Sequence, residues 1–338
     1  MAGRKAARDA AKADAFTLRA LASNWRELHL DVNRKPRYAA EAERTIHLAL
    51  PAWLDRPAAS INSAVIQEAL DNITRTRGPG AARQAHRLMR AAFEWTRQRG
   101  ELPRNPLADM APVKKSRDRD RALSDAELAA VWQAAGKVGH PYGPFIRFLI
   151  LTLQRREDLA GMSWAEVSPD LTTWTQPAGR TKNGRPHIVH LAPAARSILR
   201  ALPRFESCAL VFTNTGKTGL SGFSPAKLRL DRQVAKDRTQ QGVKPPELAP
   251  WRFHDLRRTG VTTMARLGIS SDVADRILNH AASASKGGVK AVYQMHEYTR
   301  EREKALIRWA SHVLTVASVA EAPGNVVPMV PRKGKAKR

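Results

Sequence analysis

The sequence predicts a mainly α-helical chain with one small β-hairpin, an α+β class, divided into two domains. Apolar residues recur at helical spacing through most of its 338 residues. One pair of short strand-like runs flanks an Asn-Gly step, and a proline-broken, charge-dense stretch interrupts the periodicity about a third of the way along. A chain of this length can bury two separate cores.

Residues 1–15 alternate Ala with Lys, Arg and Asp, the composition of a basic N-terminal segment. From Phe16, Leu18, Leu21, Trp25 and Leu28 repeat at helical spacing, as do Ile61, Val65, Ile66 and Leu70, then Leu88, Ala91, Ala92 and Trp95. These predict a small helical domain over 16–110. Its end is marked by "GELPRNPLADM", and a charged linker over 111–122 contains "KKSRDRDR". A second domain over 123–318 opens with Ser124 as N-cap and Glu127 three residues on, a capping-box pattern for a helix through Ala135. The next helix is expected over 143–161 and contains "FIRFLILTL", an apolar run too short to span a bilayer and interrupted by Arg147. "TTWTQPAG" and "HIVHL" read as strands around "RTKNGRP", where Asn183-Gly184 is a hairpin-turn dipeptide. Helices dominate after Ala192, ending in an amphipathic stretch over 297–317. The aperiodic basic tail, 319–338, is expected to be disordered. No internal repeat at solenoid spacing is visible.

Lys and Arg number 57 against 31 Asp and Glu, a net charge of +26 with pI ≈ 11.1. Such an excess predicts a polyanionic partner, nucleic acid first and an anionic membrane surface second. Cys208 is the single cysteine, which excludes a disulfide framework and a cysteine-based zinc site. With no charged-then-apolar leader at its start, the sequence is expected to be cytoplasmic and nucleoid-associated when bound to DNA.

The residues suited to chemistry each have an ordinary reading beside the functional one. His254 and Arg257, three apart on an expected helix, share a face and can converge on one ligand; a solvated face in a basic chain looks the same. Arg155 with Asp158 at i+3 is a guanidinium oriented for phosphate oxygens, or an intrahelical ion pair. Lys182 lies at a turn tip, His280 at a helix end where imidazole is a favourable cap, and Tyr293 between residues that suit core packing. "VTTMARLGISSDVADRIL" has the plan of a helix-turn-helix DNA reader.

The order Arg155, Lys182, His254-x-x-Arg257, His280, Tyr293 resembles the catalytic constellation of the tyrosine recombinases of phage-integrase type. The likeness spans about residues 121–312. "LTLQRREDLAGMSW" resembles the family's first arginine box, "RTKNGRPHIVHL" its lysine hairpin, "WRFHDLRRTGVT" its HxxR box, and "ILNH" with "VYQMHEY" its last histidine and nucleophile region. "ARQAHRLMRAAFEWTRQRGELPRNPLADM" resembles the end of the helical, SAM-like core-binding domain. The sequence departs from the common pattern in Leu153 for Gly, Asp158 for Glu, "LNH" for "LGH", and an inserted "AASASKGGVK" before Tyr293. Tyr298 is the alternative nucleophile; the motif favours Tyr293.

The resemblance implies a site-specific recombinase that cleaves and rejoins duplex DNA through a 3′-phosphotyrosyl link. Arg155 and Arg257 would hold the phosphate, Lys182 would protonate the leaving 5′-oxygen, His254 would exchange a proton with the tyrosine, His280 would bond the phosphate, and Asp158 would support Arg155. It implies no cofactor and no metal, since arginines supply the electrostatics, a two-domain clamp on DNA, and a homotetramer on paired sites exchanging a C-terminal segment. The candidate segment is 297–317, with Leu306, Ile307, Trp309, Ala310, Val313 and Leu314; a helix packed on its own domain would have the same stripe. An accessory DNA-bending protein is left open. The alternatives are a non-catalytic DNA-binding regulator and a type IB topoisomerase.

Overall fold

The computed structural model describes residues 16–114, 120–181, 184–280 and 298–319. The N-terminal segment 1–15, the middle of the linker, Lys182 and Asn183, the stretch with "AASASKGGVK" and Tyr293, and the tail from 320 lie outside the described residues. The chain divides into two compact units, Met1–Arg119 and Asp120–Arg338.

In the first unit α1 (Leu18–Trp25) starts at Thr17, whose hydroxyl accepts the Ala20 N–H at 3.2 Å. It runs into a π-helical turn, Arg26–Leu30. That wider turn rotates the apolar face: Leu28, expected inward, is 56 % exposed, and Leu30 is buried in its place. Helices α2 (Pro36–Ala49), α3 (Ser63–Arg77) and α4 (Pro79–Gln98) complete the unit. Leu88 and Ala92 face the core as expected, Phe93 joins them, and Ala91 points outward. "GELPRNPLADM" folds back on α4. Asn105 donates to the Arg90 carbonyl and to Glu94, and accepts the Leu107 N–H at 2.9 Å, so the Asn-Pro step closes the unit by hydrogen bonding.

The second unit opens as expected. Ser124 and Glu127 form both halves of a capping box at the start of α5 (Asp125–Val138). The apolar run forms α6 (Tyr142–Thr152), buried along most of its length. The single helix expected over 143–161 is instead broken. Leu153 adopts φ 55 and α7 (Arg156–Ala160) starts afresh, with Arg155 as its N-cap. The Leu153 side chain is fully buried and packs closely on Gly260: a Cβ there would come within 2.3 Å of it, so one of the two would have to shift. Tertiary packing thus sets the break, which periodicity does not show.

Strands β1 (Thr173–Gln176) and β2 (His187–His190) pair antiparallel from Thr173↔His190 to Gln176↔His187. The first strand ends at Gln176, before the expected Gly179, and the connection begins with a 3-10 turn at Ala178–Arg180. Gly184 keeps the positive φ of 67 that a hairpin-turn dipeptide needs. Then follow α8 (Pro193–Ala201), α9 (Phe223–Gln240), α10 (Asp255–Arg266) and α11 (Ser271–Ile277). Helices α10 and α11, joined through Gly268 at φ 75, realise the helix-turn-helix pattern.

The last helix, α12 (Thr299–Val319), packs on its own unit against α5 and α6. Trp309, fully buried, donates its indole N–H to the Ile150 carbonyl at 2.8 Å, and Gln133 donates to the Ala317 carbonyl at 3.0 Å. Leu306, Ala310 and Val313 complete the inward stripe, and Ile307 and Leu314 stay outside. Within this chain its apolar stripe covers the second unit's own helices. No helix among them is long and apolar enough to cross a membrane.

Candidate active site

The break after α6 creates the site. A helix that stops leaves its last carbonyls without intrahelical donors, and the Leu153 carbonyl becomes an acceptor for Arg257, one turn into α10. Arg257 spans a gap: its Nη1 donates to the Leu153 carbonyl and its Nη2 to the Leu278 carbonyl at 2.7 Å, at the end of α11. It is only 4 % exposed. Burial, and then the charge of Arg155, lowers it to about 10, so the guanidinium is still protonated at neutral pH. Two helix C-termini aim their carbonyl ends at this cation and offset part of its desolvation.

Arg155 stands beside it. Its Nη2 reaches the Asn279 carbonyl at 3.4 Å and its Nη1 lies 3.6 Å from Asp158. Burial pushes the Asp158 carboxyl up, against the pull of Arg155. Asn279 has φ 49, a left-handed position that Gly or Asn takes readily, which accounts for "LNH" where "LGH" is common.

His254 is the N-cap residue of α10 and is exposed. Partial burial of its ring against the cleft wall, followed by Arg257 and Arg258, holds it below the usual imidazole range. Arg258 turns outward, 3.9 Å from the exposed Asp120. The HxxR spacing therefore puts Arg257, not Arg258, in the clamp. His280 follows α11, with Nδ1 3.1 Å from the Asp275 carboxylate.

Two adjoining clefts meet at His254 and Arg257. One, of about 540 Å³, also has Arg155, Lys227 and Trp251 in its wall; the other, of about 480 Å³, is flanked by Arg258, Thr262 and His280. The structure thus brings Arg155, His254, Arg257 and His280 together, with Asp158 behind Arg155. Lys182 and Tyr293 lie outside the described residues. Tyr298 is half-buried against the core at the start of α12, with φ 50, and its carbonyl accepts the Arg302 N–H at 2.8 Å. Among the described residues it lines neither cleft. No group of three or more His, Cys, Asp or Glu side chains among them is placed to hold a metal ion.

Sequence reasoning missed several supports. Gln154 is 1 % exposed and donates to the Thr152 and Ile277 carbonyls, both at 2.9 Å. His187 of β2 meets the same Ile277 carbonyl at 3.2 Å. Arg180 bonds Glu166 and the Asp158 carbonyl, fixing the turn behind Asp158. Lys227 sits 3.9 Å over the Trp251 ring and bonds Asp231. One signal was available: Gln154 ends an apolar run, and a polar side chain buried there needs partners.

A model of the phage integrase family matches residues 112–294, more than half of the chain. The chain belongs to that family. Among its relatives is the prophage integrase IntF of Escherichia coli (strain K12), 24% identical over 221 residues, covering 61% of this chain and 44% of the relative. Prophage integrase IntZ of the same strain is 30% identical over 125 residues, covering 36% and 31%. The chain spans less than half the length of these relatives. In fold, this phage integrase family member resembles a lambda integrase dimer bound to a COC' core site, with a TM-score of 0.60 at 18% identity over 89% of this chain and 81% of that one. A lambda integrase tetramer bound to a Holliday junction gives 0.59 at 19% identity, covering 78% and 77%. The Tn1549 transposon integrase in complex with circular intermediate DNA gives 0.55 at 14% identity, covering 80% and 94%.

Proposed function

We propose that this phage integrase family member is a site-specific DNA recombinase that integrates or excises a mobile element. The observation that carries the reading is the Arg155–Arg257 pair, held on backbone carbonyls beside His254 in an open cleft. Two cations fixed before substrate arrives stabilise charge on the nonbridging oxygens of a phosphodiester at no reorganisation cost. The Tyr293 phenolic oxygen attacks phosphorus, its proton passing to His254. A phosphotyrosyl bond to the 3′ side forms as the bond to the 5′-oxygen breaks, and Lys182 protonates that oxygen. His280 donates to the phosphate, and Asp158 supports Arg155. The 5′-hydroxyl of the exchanged strand then reverses the step. The bond energy is kept in the covalent link, so no nucleotide is consumed.

The partner is duplex DNA, held by a core-binding unit over 16–110 and a catalytic unit over 123–318, and the working assembly is a homotetramer on paired sites. The net charge of +26 and the likeness to DNA-bound integrases support this. The test is incubation, in EDTA, with nicked suicide duplexes drawn from candidate attachment sequences, then denaturing electrophoresis and peptide mapping. The expected product is a 3′-linked adduct on Tyr293, absent from Tyr293→Phe. An adduct on Tyr298 would move the nucleophile; occupancy of a specific site with no adduct would overturn the recombinase reading.

A further inference from the structure

The carbonyls that hold the two arginines belong to a ladder, and its deepest rung is neither arginine. The C-terminal ends of α6 and α11 are linked by side chains that reach both. Gln154 bridges Thr152 and Ile277; Arg257 bridges Leu153 and Leu278; Arg155 reaches Asn279. Successive carbonyls on one segment, 277 to 279, and adjacent ones on the other, 152 and 153, are thus taken by successive donors from the core toward the cleft. Gln154 is 1 % exposed, Arg257 4 %, and the Arg155 side chain 28 %. His187 adds a second donor to the Ile277 carbonyl at 3.2 Å, and Gln176 lies 3.4 Å from the Gln154 amide oxygen, so β1 and β2 brace the inner rung.

We infer that Gln154 is a positioning residue for phosphate binding by Arg257 and Arg155. It stitches the two helix ends in the register at which their next carbonyls aim the guanidinium groups into the cleft; the inference rests on the recombinase reading above. The physical reason is geometric. A primary amide has two N–H donors at a fixed angle and here satisfies one orphan carbonyl from each helix end. Without it the hydrogen bonds described between the two segments are those of the arginines, which then have to help hold the fold as well as the phosphate. Substrate-facing cations tolerate little displacement: an offset of about 1 Å can cost on the order of a hundredfold in rate.

The test compares wild type with Gln154→Met, which keeps the volume and removes both donors. The probe is a nicked duplex to which the wild type is shown to bind specifically. Single-turnover adduct formation is timed at saturating protein, with occupancy and thermal unfolding followed in parallel. The expected result is roughly a tenfold to hundredfold slower adduct with occupancy unchanged, and a clearly smaller added loss when Gln154→Met is placed in an Arg257→Lys background, because one of the two groups it positions has already been altered. In a Lys182→Ala background the loss should appear in full. A Gln154→Met rate equal to wild type, or an equal fractional loss in both backgrounds, would overturn the inference and leave the recombinase reading standing. If Gln154→Met does not fold, His187→Phe removes only the second donor to Ile277 and should show a smaller loss with the same dependence on Arg257; no loss there overturns the inference too. A bound wild-type protein that forms no adduct would sink the recombinase reading itself.

Discussion

Leu153 adopts φ 55, a left-handed conformation that costs an L-residue roughly 1–2 kcal/mol. Gly260 supplies the space in which its side chain packs. Gly260→Ala would drive a methyl group to 2.3 Å from the buried Leu153 side chain. We expect a loss of roughly 1–3 kcal/mol in urea unfolding, together with slower adduct formation; a neutral variant would mean that the α6 end shifts freely. His187 makes a second prediction. Burial, with Arg302 next, lowers it to about 3 from 6.5. Between those values the unfolded chain binds more protons than the folded one, so the stability contributed by neutral His187 is full above pH 6.5 and lost as pH falls through the window. At pH 4.5 the loss is roughly 2–3 kcal/mol. His187→Gln should flatten that part of the pH profile of urea unfolding, and an unchanged slope would assign the acid sensitivity elsewhere.

At the scale of elements, α12 shows what an amphipathic pattern settles. Its stripe of Leu306, Trp309, Ala310 and Val313 was visible in the sequence, but the surface it covers was not, since any apolar surface of matching shape would serve. The described helix covers α5 and α6, and the indole bond to Ile150 pins it. Trp309→Phe should cost about 1–3 kcal/mol, because the buried Ile150 carbonyl loses its side-chain donor. Ile307→Ser, on the outward face, should stay within roughly 0.5 kcal/mol. Thermal unfolding of both checks the pair, and the reverse order would put Ile307 rather than Trp309 at the helix's main contact. The α1 register shows the opposite limit: the π-helical turn displaces Leu28 because three- and four-residue spacing presumes one unbroken helical phase.

For the whole molecule, a charge of +26 means that affinity for DNA should be carried by phosphate contacts. If about six to ten phosphates are neutralised, affinity falls by roughly a thousandfold or more between 50 and 200 mM salt. Fluorescence anisotropy against salt measures the slope, and a shallow slope would sink the phosphate-dominated account. The two units with their own cores, the capping box at Ser124 and the Asn-Pro closure were legible beforehand because each depends on residues close together in the chain.

The sequence by itself determined the helical class, the short strand pair, the basic character and the order of Arg155, His254, Arg257 and His280, which are properties of local spacing and composition. Only the tertiary structure decided that Arg257 is held between the Leu153 and Leu278 carbonyls, that the chain breaks at Leu153, and that Gln154 and His187 stand behind the arginines. Those choices depend on carbonyls more than a hundred residues apart in the chain meeting at one point: the Arg257 bond to Leu153 and the Gln154 bond to Ile277 close loops of 104 and 123 residues. No periodicity encodes such a meeting; the packing of α6, α10 and α11 produces it.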